Sequence, residues 1–191
     1  MRNLNLANLL TAVRLLLAPL AVRAILAQRF RVALALFFVA AITDGLDGLA
    51  ARRLNIRTRL GAYLDPIADK LLLSASFLAL GVSGAAPWWL VILIFGRDFL
   101  ILAMAAGALL FTPCREFPPS VWGKISTGFQ ILAAVVTLAD GAVPGLRLPL
   151  APFFWVAAAA TVWSGAGYVW RGVVLVRSRK PPHVEAEKFE H

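Results

Sequence analysis

Asp44, Asp47, Asp65 and Asp69 are four carboxylates in a chain that is otherwise strongly apolar. Residues three or four apart share one face of an α-helix. Asp44, Asp47, Gly48, Ala51 and Arg52 therefore line one face, and Gly61, Asp65 and Asp69 line another. Two helices meeting on those faces would bring the four carboxylates together, and like charges that close need cations to be stable. An oxygen-only ligand set, with no Cys or His in it, favours Mg²⁺, Mn²⁺ or Ca²⁺ over zinc. Two such ions can clamp both sides of a phosphoryl group during its displacement. Arg52 is a fixed cation one turn beyond Gly48, suited to a phosphate, and Thr58 offers a hydroxyl to the same group. Gly48, Ala51 and Gly61 remove bulk where the carboxylates converge, although small residues at this spacing also serve close helix packing.

The elements that must position these residues follow from composition. Of 191 residues, 60% are hydrophobic and 15% charged, with a mean hydropathy of +0.78. The apolar runs are long enough to cross a bilayer, where backbone groups must be satisfied within helices or a closed barrel. Runs of about twenty residues rich in Leu and Ala point to helices, and the alternating segments of a barrel are missing. The expected fold is all-α, an integral membrane bundle of six transmembrane helices. The spans run at about 8–27, 32–53, 60–80, 88–111, 120–139 and 150–170. Residues 3–7 would form a short interfacial helix. Residues 1–175 make one membrane domain, and 176–191 a polar cytoplasmic tail. Pro66 should free a backbone carbonyl within the third helix, beside Asp65. Trp88 and Trp89 form an interfacial pair. Asn8, Thr11 and Arg14 share one face of the first helix; they either cap and anchor it or look toward the aspartates.

The net charge of +9 reflects basic residues flanking apolar segments, where they set topology or touch anionic headgroups. No basic–aromatic pattern on a soluble module points to nucleic acid. Arg2, Arg52, Arg53, Arg57, Arg59, Arg115, Lys124, Arg171, Arg177, Arg179 and Lys180 collect on one side; Arg23, Arg29, Arg31 and Arg147 fall to the other. Retention of positive loops inside puts both termini and the aspartate cluster at the cytoplasmic face. The single Cys114 can form no internal disulfide. Arg14 and Arg23 interrupt the first apolar run, which therefore reads as a retained helix rather than a cleaved signal.

The pattern Asp44-x2-Asp47-Gly48-x2-Ala51-Arg52-x8-Gly61-x3-Asp65-x3-Asp69 resembles, at every fixed position, the signature of the CDP-alcohol phosphotransferases. That resemblance implies transfer of the phosphatidyl group of CDP-diacylglycerol to an alcohol, with release of CMP, in phospholipid synthesis. It implies that Asp44, Asp47, Asp65 and Asp69 surround two divalent ions, Mg²⁺ or Mn²⁺, and that Asp69 is the general base. It further implies that Gly48, Arg52, Thr58 and Gly61 contact the CDP moiety while Asn8 and Thr11 close the pocket. A homodimer in a bacterial inner membrane is the setting it suggests.

The acceptor is less sharply indicated. The opening NLxNLLTxxRLLLAPL and the stretch YLDPIADKLLL resemble the phosphatidylglycerophosphate synthase branch, whose acceptor is glycerol 3-phosphate. On that likeness Arg97 and Lys124 hold the acceptor phosphate, and either residue would equally serve as an interfacial anchor. The triplet Gly96-Arg97-Asp98 departs from the Arg-Glu more usual there. It is closer to the cardiolipin synthase branch, whose acceptor is phosphatidylglycerol. A reading of another class is a divalent-cation transporter with carboxylates along an ion path. Clustering of the aspartates toward one end, and the absence of paired interrupted helices, speak against it.

Overall fold

Among the described residues six helices follow in chain order: α1 (Leu4–Leu26), α2 (Phe30–Leu54), α3 (Arg59–Val82), α4 (Trp88–Phe111), α5 (Val121–Ala142) and α6 (Leu150–Arg177). The computed structural model describes residues 4–54, 59–111 and 121–177, and over 4–12, 14, 44–54, 59–69, 105–111 and 171–177 it describes the helical backbone alone. No strand occurs among the described residues. The expected interfacial helix is not separate: nothing between Leu4 and Asn8 breaks the helix, so α1 runs unbroken from Leu4. α3 runs through Pro66 to Val82, in line with the single third helix expected there.

The helices pack as a ring in the order α1, α2, α5, α6, α4, α3, with a smaller contact of α3 on α5 across it. The buried positions show why. On α1, Leu17, Ala18, Ala21, Ala24 and Ile25 recur at helical spacing, and on α2 Ala33, Phe37 and Ala40 do the same. Alanines let the backbones approach, so α1 sits tightly between α2 and α3, where Phe77 and Leu80 are wholly buried. The α5–α6 seam is polar instead. Gln130 Nε2 donates to Thr161 Oγ1 at 2.9 Å, and Ser126 Oγ reaches the same oxygen at 3.4 Å.

Outside, the pattern inverts. Leu16, Phe99, Trp155 and Trp170 are 66%, 74%, 66% and 72% exposed, whereas Ser76, Ser126, Gln130, Thr137, Thr161 and Ser164 are buried. Val121–Ala142 and Leu150–Trp170 are each long and apolar enough to cross a membrane.

The turns are tight. Gln28 adopts φ 55°, and it closes α1 with bonds from Gln28 N to Ile25 O at 2.9 Å and from Arg29 N to Ala24 O at 2.8 Å. This is the helix-terminating arrangement that glycine usually supplies. It delivers Phe30 onto Gly141 of α5, where a Cβ would lie 2.6 Å from the Phe30 ring. Arg31 Nε then donates to Ala142 O at 2.8 Å, tying the start of α2 to the end of α5. Replacing Gly141 by alanine should therefore destabilise the protein by about 1–3 kcal/mol through overpacking. Thermal unfolding in detergent reads this as a lowered Tm, and adding Phe30→Leu should recover part of the loss.

Candidate functional site

The register of α2 and α3 sets the four aspartates at matched depths. Asp44 lies ten positions before Leu54, the end of α2, and Asp69 lies ten positions after Arg59, the start of α3. Asp47 and Asp65 lie seven and six positions from the same two ends. At a rise of about 1.5 Å per residue, one pair sits about 15 Å into its helices and the other about 10 Å. The two helix ends are joined by residues 55–58 alone. Five extended residue steps reach at most about 17 Å, so both helices present their aspartates at one end of the bundle.

In the ring α1 separates α2 from α3, and no direct contact between α2 and α3 occurs among the described residues. The two carboxylate-bearing helices thus flank the N-terminal half of α1, which carries Asn8 and Thr11. Gly48 and Arg52 belong to α2 and Gly61 to α3. The side chains of all these residues, and Thr58 altogether, lie outside the described residues. The sequence places oxygen donors alone at the four positions, and helix register brings them to two levels of one end. That donor set fits hard divalent cations.

Arg97 is described in full, and it is no interfacial anchor. Its residue is 8% exposed. Nη1 donates to Asp98 Oδ1 at 2.9 Å, and Nη2 donates to Ser164 Oγ of α6 at 2.9 Å. Gly123 of α5 makes room: a Cβ there would lie 3.2 Å from Arg97 Nη2 and 3.3 Å from the Tyr168 hydroxyl. Lys124, the next residue, is exposed. The Arg97–Asp98 pair thus turns inward to the α4–α5–α6 junction. Asp98 also pairs with Lys70 of α3, at 2.8 Å. Sequence reading passed over Lys70, Ser164 and Gly123. The one signal for Lys70 was its place directly after Asp69, and at i+1 it leaves the aspartate face.

A cleft of about 410 Å³ opens beyond the far end of α3 between Pro87, Trp89, Phe154 and Trp155. The Trp89 and Trp155 rings pack at 5.0 Å across it. None of its lining residues titrates, so it offers no groups for acid–base or metal chemistry.

A family model described as CDP-alcohol phosphatidyltransferase matches residues 4–165. The chain belongs to that family. As a CDP-alcohol phosphatidyltransferase it is a transferase of phospholipid synthesis, and the family uses divalent metal ions. The matched span takes in all four aspartates as well as Arg97 and Lys124. A probable phosphatidylglycerophosphate synthase of Mycobacterium tuberculosis is 35% identical over 177 residues, covering 88% of this chain and 82% of that protein. The CDP-diacylglycerol–glycerol-3-phosphate 3-phosphatidyltransferase of Bacillus subtilis is 39% identical over 137 residues, covering 70% and 69%. A CMP-forming cardiolipin synthase of Rattus norvegicus is 34% identical over 148 residues, covering 69% of this chain and 49% of its own.

In this transferase the close approach at Gly123 is testable by itself. Gly123→Ala should cost about 1–2 kcal/mol, since both the Arg97 guanidinium and Tyr168 must give way. Thermal melting of the purified variant measures it, and an unchanged Tm would contradict the packing described.

Proposed function

We propose that the chain transfers the phosphatidyl group of CDP-diacylglycerol to glycerol 3-phosphate, releasing CMP. The observation that carries this reading is the matched depth of Asp44 and Asp69, and of Asp47 and Asp65, on two helices joined at that end. Asp44, Asp47, Asp65 and Asp69 would hold two divalent ions, Mg²⁺ or Mn²⁺. When bound, such ions offset the diphosphate charge and stabilise CMP as the leaving group.

The chain's own residues do the rest. Arg52 and Thr58 engage the donor phosphates, and Gly48 and Gly61 leave space for the CDP moiety, with Asn8 and Thr11 closing the pocket from α1. Asp69 accepts the proton of the acceptor hydroxyl, which requires hydrogen-bond reach before anything else. A bond then forms from that oxygen to the phosphatidyl phosphorus. The bridging P–O bond breaks, and CMP departs with the electron pair. Arg97 and Lys124 hold the acceptor phosphate, a planar fork and a point charge respectively. Relatives named for glycerol-3-phosphate transfer support this acceptor. The Arg97–Asp98 sequence and the cardiolipin synthase relative favour phosphatidylglycerol as the alternative.

Residues 1–175 act as one membrane unit of six spans, with 176–191 as a polar tail. The many exposed Leu, Phe and Trp side chains support this reading, because lipid rather than water would satisfy such a surface. The excess of basic residues at the aspartate end supports a cytoplasmic site, and a bacterial inner membrane is the setting proposed. There the apolar tails of donor and product stay in the bilayer while the headgroup chemistry meets water.

Purified protein should release CMP from CDP-diacylglycerol with glycerol 3-phosphate and divalent metal, and chelation by EDTA should abolish it. Phosphatidylglycerol as the preferred acceptor would shift the assignment to cardiolipin synthesis, and no CMP with any alcohol would overturn it. Asp69→Asn should lower kcat by about 10²-fold or more, the usual worth of a positioned general base. Donor binding should largely persist, and wild-type turnover in the variant would remove Asp69 from that role.

A further inference from the structure

Lys70 and Arg97 share a single carboxylate. Lys70 Nζ lies 2.8 Å from Asp98 Oδ1, and Arg97 Nη1 lies 2.9 Å from the same oxygen. Two cations on one anion leave a positive charge in excess. The Arg97 side chain is 7% exposed, and its Nε–H is buried with no partner among the described residues. A buried donor left unsatisfied on a cation is costly, and an anion arriving there would relieve it.

The same carboxylate has a second reach. Lys70 directly follows Asp69 on α3, so a residue of α4 fixes the α3 turn beside the proposed base. The α3–α4 contact is otherwise slight compared with that of α1 on α3. Ser164 from α6 and the bare backbone at Gly123 hold the other side of the guanidinium. Asp98 is only 13% exposed and the Arg97 side chain 7%, so that pair is little screened by solvent, whereas Lys70 reaches Asp98 from a side chain that is 45% exposed.

We propose that Asp98 is a positioning residue: it orients Arg97 toward the acceptor's phosphate and, through Lys70, sets the α3 turn that carries Asp69 against α4. The inference rests on the phosphatidyl-transfer reading above. Asp98 touches neither substrate; it acts through its two cations. Arrival of the acceptor at Arg97 and placement of the base are thereby tied to one carboxylate, and a mere staple between helices would affect both substrates alike.

The test is steady-state CMP release by the full chain in mixed micelles with Mg²⁺, varying each substrate in turn. Asp98→Asn should raise KM for glycerol 3-phosphate about tenfold, the loss of one charge-assisted bond, and lower kcat about threefold. KM for CDP-diacylglycerol should stay within about twofold, since only the acceptor contact is disturbed. Asp98→Glu should recover much of the loss. Lys70→Met should lower kcat without raising the acceptor KM. The double variant should be no slower than the worse single variant, because both changes break one link. Equal effects of Asp98→Asn on both KM values, no effect on the acceptor KM, or Lys70→Met at wild-type kcat would each overturn the proposal. If Asp98→Asn does not give a monodisperse protein, Lys70→Met and Ser164→Ala decide. The serine variant should raise the acceptor KM about threefold, as a neutral partner contributes less. A wild-type chain that releases no CMP would overturn the transfer reading itself, an outcome seen in the same assay and distinct from selective failure of the variants.

Discussion

Carboxylates of like sign, set at equal depths on two apolar helices, repel one another unless something positive lies between them. That constraint governs the arrangement of the bundle. Among the described residues α2 and α3 make no direct contact; both lean on α1, whose alanines allow close approach. Cations and a ligand between the two helices are what is proposed for the end where Asp44, Asp47, Asp65 and Asp69 lie. A charge at membrane depth costs ~2.5–3.5 kcal/mol on insertion scales, so four aspartates within two long, largely apolar helices call for a functional reason. Membership of a family that transfers phosphatidyl groups supplies one.

The opposite half of the ring handles its polar groups differently. There Gln130, Ser126 and Thr161 satisfy each other across α5 and α6, and the seam is closed. The Arg97 cluster stands between the two regimes. Three of its groups are paired through Asp98 and Ser164, yet Arg97 Nε meets no acceptor among the described residues. A closed seam stabilises a bundle, whereas a cluster with one positive charge in excess and one idle donor is poised for an anion.

The helices were legible because Leu- and Ala-rich runs are bounded by Gly, Pro and basic turns; the six segments agree with α1 to α6 to within four residues, except that α6 runs to Arg177, seven beyond its expected end. Where the reading missed, physics explains it. The expected interfacial helix at 3–7 merged with α1 because no breaker follows it. Gln28 takes the left-handed turn with no glycine to announce it. The aspartate motif was readable from spacing alone, since helical register is local. Arg97 was harder: its neighbours Ser164 and Lys70 come from helices distant in sequence, so its burial and its bridge to α3 depend on ring order, which no local pattern encodes.

Manganese binding tests the central claim most directly. Purified protein titrated with Mn²⁺ and followed by electron paramagnetic resonance should take up two ions per chain whose signals are magnetically coupled. Asp65→Asn should remove that coupling. Uptake of no Mn²⁺, or of isolated ions unaffected by that substitution, would contradict a site in which the carboxylates of α2 and α3 converge on a shared metal pair.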